Sequence, residues 1–210
     1  IEIIILSSFT AGQYYYFNGA TQSESRVGAW YASVAAIRAA WKVYGSWNMT
    51  GNNWNSNDFA SYGESTATYT VSLDAATSYS FKYVFSGTNA WYGNNSGTMS
   101  DGTAKSLSSS GGDLSFTSTV AGTYTFTINY SSATPTAKVD FPTSYTVNFG
   151  VSPAGAADAP TNDQSLSNGG LILDGTSVTF THASANTGYT WSHWEKDGSN
   201  TSETGSTYAS

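Results

Sequence analysis

Four aromatic side chains, Trp47, Trp54, Trp91 and Tyr92, stand at strand ends or in Asn/Gly-rich loops, outside the obvious alternating core positions. Asn94 and Asn95 follow Trp91 closely, and Lys82 sits between Phe81 and Tyr83, so that it points away from their shared face. This set has the chemistry to hold a sugar. A sugar ring presents an apolar C–H face and a rim of hydroxyls. An indole or phenol covers the face with a large rigid area, while amides and an ammonium bond the rim. Sandwich folds also bury tryptophan. Trp41 and Trp194 read as core, and Trp47 fits either position.

Other chemistries find less support. His182 and His193 are the two histidines. A zinc site would need a third ligand at a suitable spacing, so both read as surface or rim residues. The 14 acids fall mostly in turns, among them Asp74, Asp101, Asp113, Asp140 and Asp174. Glycoside hydrolysis needs two carboxylates flanking one bond, and no spacing pairs any two of these. The chain contains no G-x-S-x-G elbow, phosphate loop or dinucleotide fingerprint. It therefore reads as a non-enzyme without cofactor. The oxygen-rich run Asn52–Asp58 carries one carboxylate and lacks EF-hand spacing, so it reads as a solvated turn rather than a metal site.

Composition narrows the partners. The 210 residues carry a formal net charge of -7, and Arg26 and Arg38 are the only arginines. A phosphate-tracking surface needs a basic stripe, so neither nucleic acid nor an anionic membrane surface is an expected partner. The absence of cysteine excludes disulfides and thiolate metal sites. No run approaches the ~20 apolar residues of a membrane-spanning helix. Ile3–Leu6 reads as a first strand, and a chain opening on Ile1 reads as processed or as a fragment. The aromatic, Ser/Thr/Gly-rich composition suggests a secreted or cell-surface protein.

The elements that must position the candidates follow from period-two patterning. Tyr14–Phe17 runs into Asn18-Gly19, a strand entering a turn. Ala32 to Ala40 is the one helix candidate, with Ser33 as cap and Val34, Ile37 and Trp41 on one face. From Trp41 onward apolar residues alternate: Tyr69, Val71, Leu73; Tyr79, Phe81, Tyr83, Phe85; Tyr124, Phe126, Ile128, Tyr130; Val139, Phe141. Alternation with turn residues between runs predicts an all-β, immunoglobulin-like antiparallel β-sandwich. The texture changes after Pro142-Thr143. Tyr145–Val151, Leu171–Leu173, Val178–His182 and Tyr189–Trp194 read as strands of a small β-grasp-like or β-rich unit. Ser152 to Gly170 reads as a long, partly mobile excursion. The expected division is 1–40 as an N-terminal strand-rich segment, 41–142 as the sandwich, 143–197 as the second unit and 198–210 as a flexible tail.

Two resemblances add to this reading. WKVYGSWN (Trp41–Asn48), YSFKYVF (Tyr79–Phe85), AWYGNNSGTM (Ala90–Met99) and the closing hairpin AGTYTFTINYSSATPTAKVDFP (Ala121–Pro142) resemble the starch-binding type of carbohydrate-binding module. That resemblance implies an α-glucan-like ligand and makes Trp47, Trp91, Tyr92 and Lys82 the nearest equivalents of the glucan-contacting set. YTVNFGVSP (Tyr145–Pro153), DGTSVTFTHA (Asp174–Ala183) and GYTWSHWEKDGS (Gly188–Ser199) resemble a divergent internalin-type B-repeat, whose units serve as spacers or adhesive stalks. The implied function is non-catalytic glycan binding at Trp47, Trp54, Lys82, Trp91, Tyr92, Asn94 and Asn95. The competing expectation is a structural or adhesive extracellular protein, a stalk, fibre or appendage subunit, that self-associates through the N-terminal strand.

Overall fold

The computed structural model describes residues 14–17, 28–31, 34–132 and 134–210. The expected first strand Ile3–Leu6, the Asn18-Gly19 turn and the Ser33 cap lie outside these residues. The chain divides into two compact units between Phe141 and Pro142. Both are β-rich, and the described residues are all-β apart from one short helix.

The first unit opens with the antiparallel pair β1 (Tyr14–Phe17) and β2 (Gly28–Tyr31), followed by helix α1 (Val34–Ala39). The helix ends before Trp41, which instead begins a strand. The strands that follow are β3 (Trp41–Thr50), β4 (Asn53–Asp58), β5 (Ser61–Tyr62), β6 (Thr66–Leu73), β7 (Ser78–Phe85) and β8 (Ala90–Tyr92). Then come β9 (Lys105–Ser106), β10 (Leu114–Thr117), β11 (Gly122–Asn129) and β12 (Thr136–Asp140). One sheet has the order β10-β7-β3-β4, with β8 also pairing with β7; the other has the order β5-β6-β11-β12-β9. The strand pairings in both are antiparallel.

The two sheets meet through the alternating residues. Tyr79, Phe81, Tyr83 and Phe85 of β7 are buried, and so are Tyr124, Phe126 and Ile128 of β11. Phe81 and Phe126 approach edge-to-face at 5.0 Å across the interior. The Tyr124 hydroxyl donates to Val120 O at 2.9 Å, the tyrosine-corner arrangement in which a buried phenol finds a backbone acceptor a few residues upstream. Buried Ser118 pins the β6–β7 turn, its hydroxyl accepting the Thr77 N–H at 3.0 Å.

Trp47 packs, partly buried, against this interior. Its ring packs 4.6 Å from Phe126 and 6.0 Å from both Phe81 and Tyr69. The pairing of β3 with β4 shifts register between Tyr44 and Met49, and the indole folds back over Gly45. A Cβ added to Gly45 would lie 2.3 Å from the Trp47 ring, so glycine is what leaves room for this pose.

The second unit is built from β13 (Ser144–Val147), β14 (Thr161–Asn162), β15 (Gly170–Leu173), β16 (Thr179–Thr181), β17 (Glu195–Lys196), β18 (Ser199–Asn200) and β19 (Thr207–Ala209). β13 pairs with β15, β16 lies between β14 and β19, and β17 with β18 forms a hairpin. Val178, Phe180 and Trp194 are its buried core, flanked by Val147, Phe149, Leu166, Ile172 and Tyr208. Three sequence expectations change here. The Ser152–Gly170 excursion contains β14, which pairs with β16. Tyr189–Trp194 is irregular rather than a strand. Residues 198–210 are not a loose tail. They supply β18 and β19, and Ser210 and Val178 exchange backbone hydrogen bonds at 3.0 and 3.2 Å.

Gly45→Ala is expected to displace the Trp47 ring and to cost about 1–3 kcal/mol, the range for overpacking a filled core. Thr70→Ala, at an exposed β6 position, should stay within about 0.5 kcal/mol of the parent. Chemical denaturation of both variants checks this, and an unchanged midpoint for Gly45→Ala would contradict the packing described.

Candidate functional site

On the sandwich, the outer face of the first sheet carries part of the sequence-derived set. Cross-strand register aligns Asp58, Lys42, Val84 and Trp91 in one row, with Ser56, Tyr44 and Lys82 in the next. Trp91 and Tyr44 touch with ring centroids 4.8 Å apart, tilted by 51°, so they do not form one flat platform. Trp91 is half-buried, and Val84 beside it is buried although it points to the same face. Lys82 is paired with Asp113 at 3.3 Å, and Lys42 with Asp58. Burial acts to lower the Lys42 pKa, but the hydrogen bond to Asp58 and the charges of Tyr62 and Asp58 outweigh it and hold it above the ordinary lysine value.

The remaining members of the set are placed elsewhere. Tyr92 is 7% exposed and packs on Trp41 at 5.0 Å, deep in the core rather than at a binding surface. Burial pushes its phenol pKa up. Trp47 is partly buried and packs against the core, in contact with Phe81 and Phe126. Trp54 is half-exposed on β4, three strand positions from β8, a separation of roughly 14 Å at ordinary sheet spacing. Trp54 and Trp91 therefore do not share a site.

The asparagines of the β8–β9 connection hold that connection together. Asn94 Nδ2 donates to Ser106 O at 2.7 Å, and its Oδ1 accepts the Ser96 N–H at 2.7 Å. Asn95 Oδ1 accepts the Gly112 N–H at 2.9 Å. Glycines let the backbones meet there. A Cβ on Gly93 would fall 1.9 Å from Gly112 O, and one on Gly97 would fall 2.0 Å from Asp113 O. Both Asn94 amide atoms and the Asn95 Oδ1 thus brace the loop, while Asn95 itself is exposed.

The second unit contains an open cleft of about 220 Å³ that the sequence reading did not assign. Its wall includes His182, Tyr189, Trp191, His193, Asp158 and Glu195. Trp191 is 37% exposed and Tyr189 is 46% exposed. His182 stacks on one face of Trp191 at 4.1 Å and 13°, and Trp194 meets Trp191 edge-on at 5.0 Å and 66°. The chain's last segment holds both indoles. Trp191 Nε1 donates to Thr204 O and Trp194 Nε1 to Gly205 O, each at 3.0 Å. Tyr208 then stacks on Trp194 at 6.0 Å. Trp191 is thus a rigid aromatic surface with its polar atom already satisfied.

The rim of the cleft is polar. Ser192 Oγ and His193 Nδ1 lie 2.7 Å apart, and His193 Nε2 is 3.3 Å from Glu195 Oε1. A hydroxyl, an imidazole and a carboxylate in series can pass a proton. Ser192 and Glu195 are open to solvent, however, where such a chain serves as a set of hydrogen-bonding groups. Among the described residues, no cluster of His, Asp or Glu is arranged to hold a metal ion. No helix among them is long and apolar enough to cross a membrane.

A sequence signal for the cleft did exist. GYTWSHWE packs two tryptophans, a tyrosine, a histidine and a carboxylate into eight residues, Gly188–Glu195. Reading it as a strand sent Trp194 correctly to the core but left Trp191 without a role.

Removing residues 207–210 deletes β19 and Tyr208. The expected result is a red shift of tryptophan emission as Trp194 loses its cover, with a destabilisation on the order of 2 kcal/mol or more. Emission and thermal unfolding indistinguishable from the full chain would show that this segment does not hold the indoles.

The chain was compared with protein-family models, curated proteins and solved structures, and it matches none of them.

Proposed function

We propose that the protein is a non-catalytic glycan-binding protein whose sugar platform is Trp191 in the cleft of the C-terminal unit. The observation that carries this reading is an exposed, rigidly held indole in an open cleft, accompanied by exposed Tyr189 and rimmed by Ser192, His193 and Glu195. The indole covers the C–H face of a pyranose, and the rim exchanges hydrogen bonds with its hydroxyls. A volume of about 220 Å³ suits one or two sugar rings rather than a long chain. Binding at a single open site of this kind is weak, with a Kd of roughly 10 μM to 1 mM. Repeated sites on one surface raise the avidity, which fits a secreted or surface-displayed protein. The α-glucan suggested by the sandwich's resemblance to starch-binding modules is one ligand to include. The Trp91 face is the weaker candidate, because Trp91 and Tyr44 are tilted and Lys82 is paired with Asp113.

A panel of soluble and insoluble glycans, amylose included, tests the assignment on the parent, Trp191→Ala and Trp91→Ala. The expected outcome is binding that falls at least tenfold in Trp191→Ala, which keeps the parent's circular dichroism but unfolds earlier for want of the Trp194 and Thr204 contacts, and binding that survives in Trp91→Ala. Loss in Trp91→Ala alone would move the site to the sandwich. Failure of every glycan to bind the parent would reject glycan binding altogether.

A further inference from the structure

With histidines counted as neutral, the formal charges of the cleft are of one sign. Asp158 and Glu195, both exposed, line it beside His182 and His193, with His193 Nε2 3.3 Å from Glu195 Oε1, and among the described residues no lysine or arginine lines it. The surrounding unit continues this bias. Asp158, Asp163, Asp174, Glu195, Asp197 and Glu203 face one amine, Lys196, a formal charge of -5 over 142–210 with histidines counted as neutral. The other six of the seven basic residues lie before Pro142, where eight acids leave that part of the chain at only -2. The acidity is therefore concentrated in the unit that holds the cleft.

The aromatic wall adds to this preference. An indole face is the strongest of the side-chain π surfaces for a cation, and phenol follows. Trp191 and Tyr189 are the exposed rings of the cleft, 37% and 46% open. A neutral sugar gains stacking and hydrogen bonds there. A sugar carrying a cationic amino group gains the same contacts, together with attraction to the Asp158 and Glu195 carboxylates and to the π surface. An acidic sugar meets two carboxylates and no lysine or arginine.

We propose that the cleft selects glycans bearing cationic amino groups over neutral and acidic ones. This rests on the glycan-binding reading of the same site and adds its ligand class. Both carboxylates are solvent-exposed, so each contributes modestly, and the expected preference over a neutral sugar is about tenfold. An ionic preference of this kind is screened by salt, because at 0.5 M the Debye length falls to about 4 Å.

The test uses three tetrasaccharides of matched length on the full chain at pH 7.5: N-trimethylglucosamine, which keeps its charge at any pH, N-acetylglucosamine and galacturonate. Calorimetry on the parent, Asp158→Asn and Glu195→Gln should give about tenfold tighter binding of the cationic tetramer and undetectable binding of galacturonate. The preference, read as the ratio of cationic to N-acetyl affinity, should shrink severalfold in 0.5 M salt and in either variant, while N-acetylglucosamine binding by the parent stays within twofold in 0.5 M salt. Equal binding of the cationic and N-acetyl forms, or a preference indifferent to salt and to both substitutions, would overturn this inference and leave glycan binding intact. If none of the three binds at millimolar concentration, while emission and unfolding show a native protein, the cleft is not a site for these sugars and both readings of it fail.

Discussion

The aromatic layer between the two sheets of the sandwich is the constraint on which the rest of the first unit depends. Phe81, Phe126, Phe116, Tyr124 and Trp47 interlock across the interior with centroid separations between 4.6 and 6.3 Å. Each ring removes a large apolar area from water, and at about 25 cal/mol per Å² such burial dominates any single polar contact on the surface. Strand side chains alternate with period two. Once the interior set is fixed, the exterior set follows: Lys42 and Tyr44 on β3, Lys82 on β7, Trp91 on β8. On each strand, the rings assigned to the core are therefore lost to the outer face.

That exchange governs what the sandwich can offer a ligand. Ala90, Trp91 and Tyr92 are consecutive strand residues, so Trp91 and Tyr92 must point to opposite faces. With Tyr92 packed on Trp41, a platform made of both rings is geometrically excluded. The polar groups nearby are similarly engaged. Close glycine contacts bring the β8–β9 connection against residues 111–113, and the Asn94 and Asn95 amide groups bind the backbone there. The loop thus engages both Asn94 amide atoms and the Asn95 oxygen in bracing its own backbone.

The second unit follows a different economy of structure. Its core is small, centred on Val178, Phe180 and Trp194, and much of its backbone is irregular. Irregular segments on a fixed scaffold can present adjacent side chains in one direction, which strands forbid. Ser192, His193 and Glu195 thereby form one hydrogen-bonded rim, while Trp191 and Trp194 are both anchored on the carbonyls of residues 204 and 205. The terminal segment is what makes this possible. It closes the sheet beside β16 and fixes both indoles at once.

The sequence by itself determined the all-β class, the alternating inner residues of β6, β7 and β11, and the burial of Trp41 and Trp194. The class and the alternation follow from local period, and the two tryptophans from the large apolar ring that a core takes up. The same period already implied the inward position of Trp47, since it continues Trp41, Val43 and Gly45. Its Asn- and Gly-rich surroundings suggested a surface instead. Tertiary structure alone decided where polar side chains spend their hydrogen bonds. It also decided that Trp54 and Trp91 lie on strands at opposite edges of a sheet, and that residues 198–210 supply strands holding a cleft. Those outcomes depend on partners distant in the chain: Gly112 for Asn95, Asp113 for Lys82, Thr204 for Trp191. No local pattern encodes which distant backbone a side chain will meet, because that is fixed only when the sheets close and the unpaired groups must find one another.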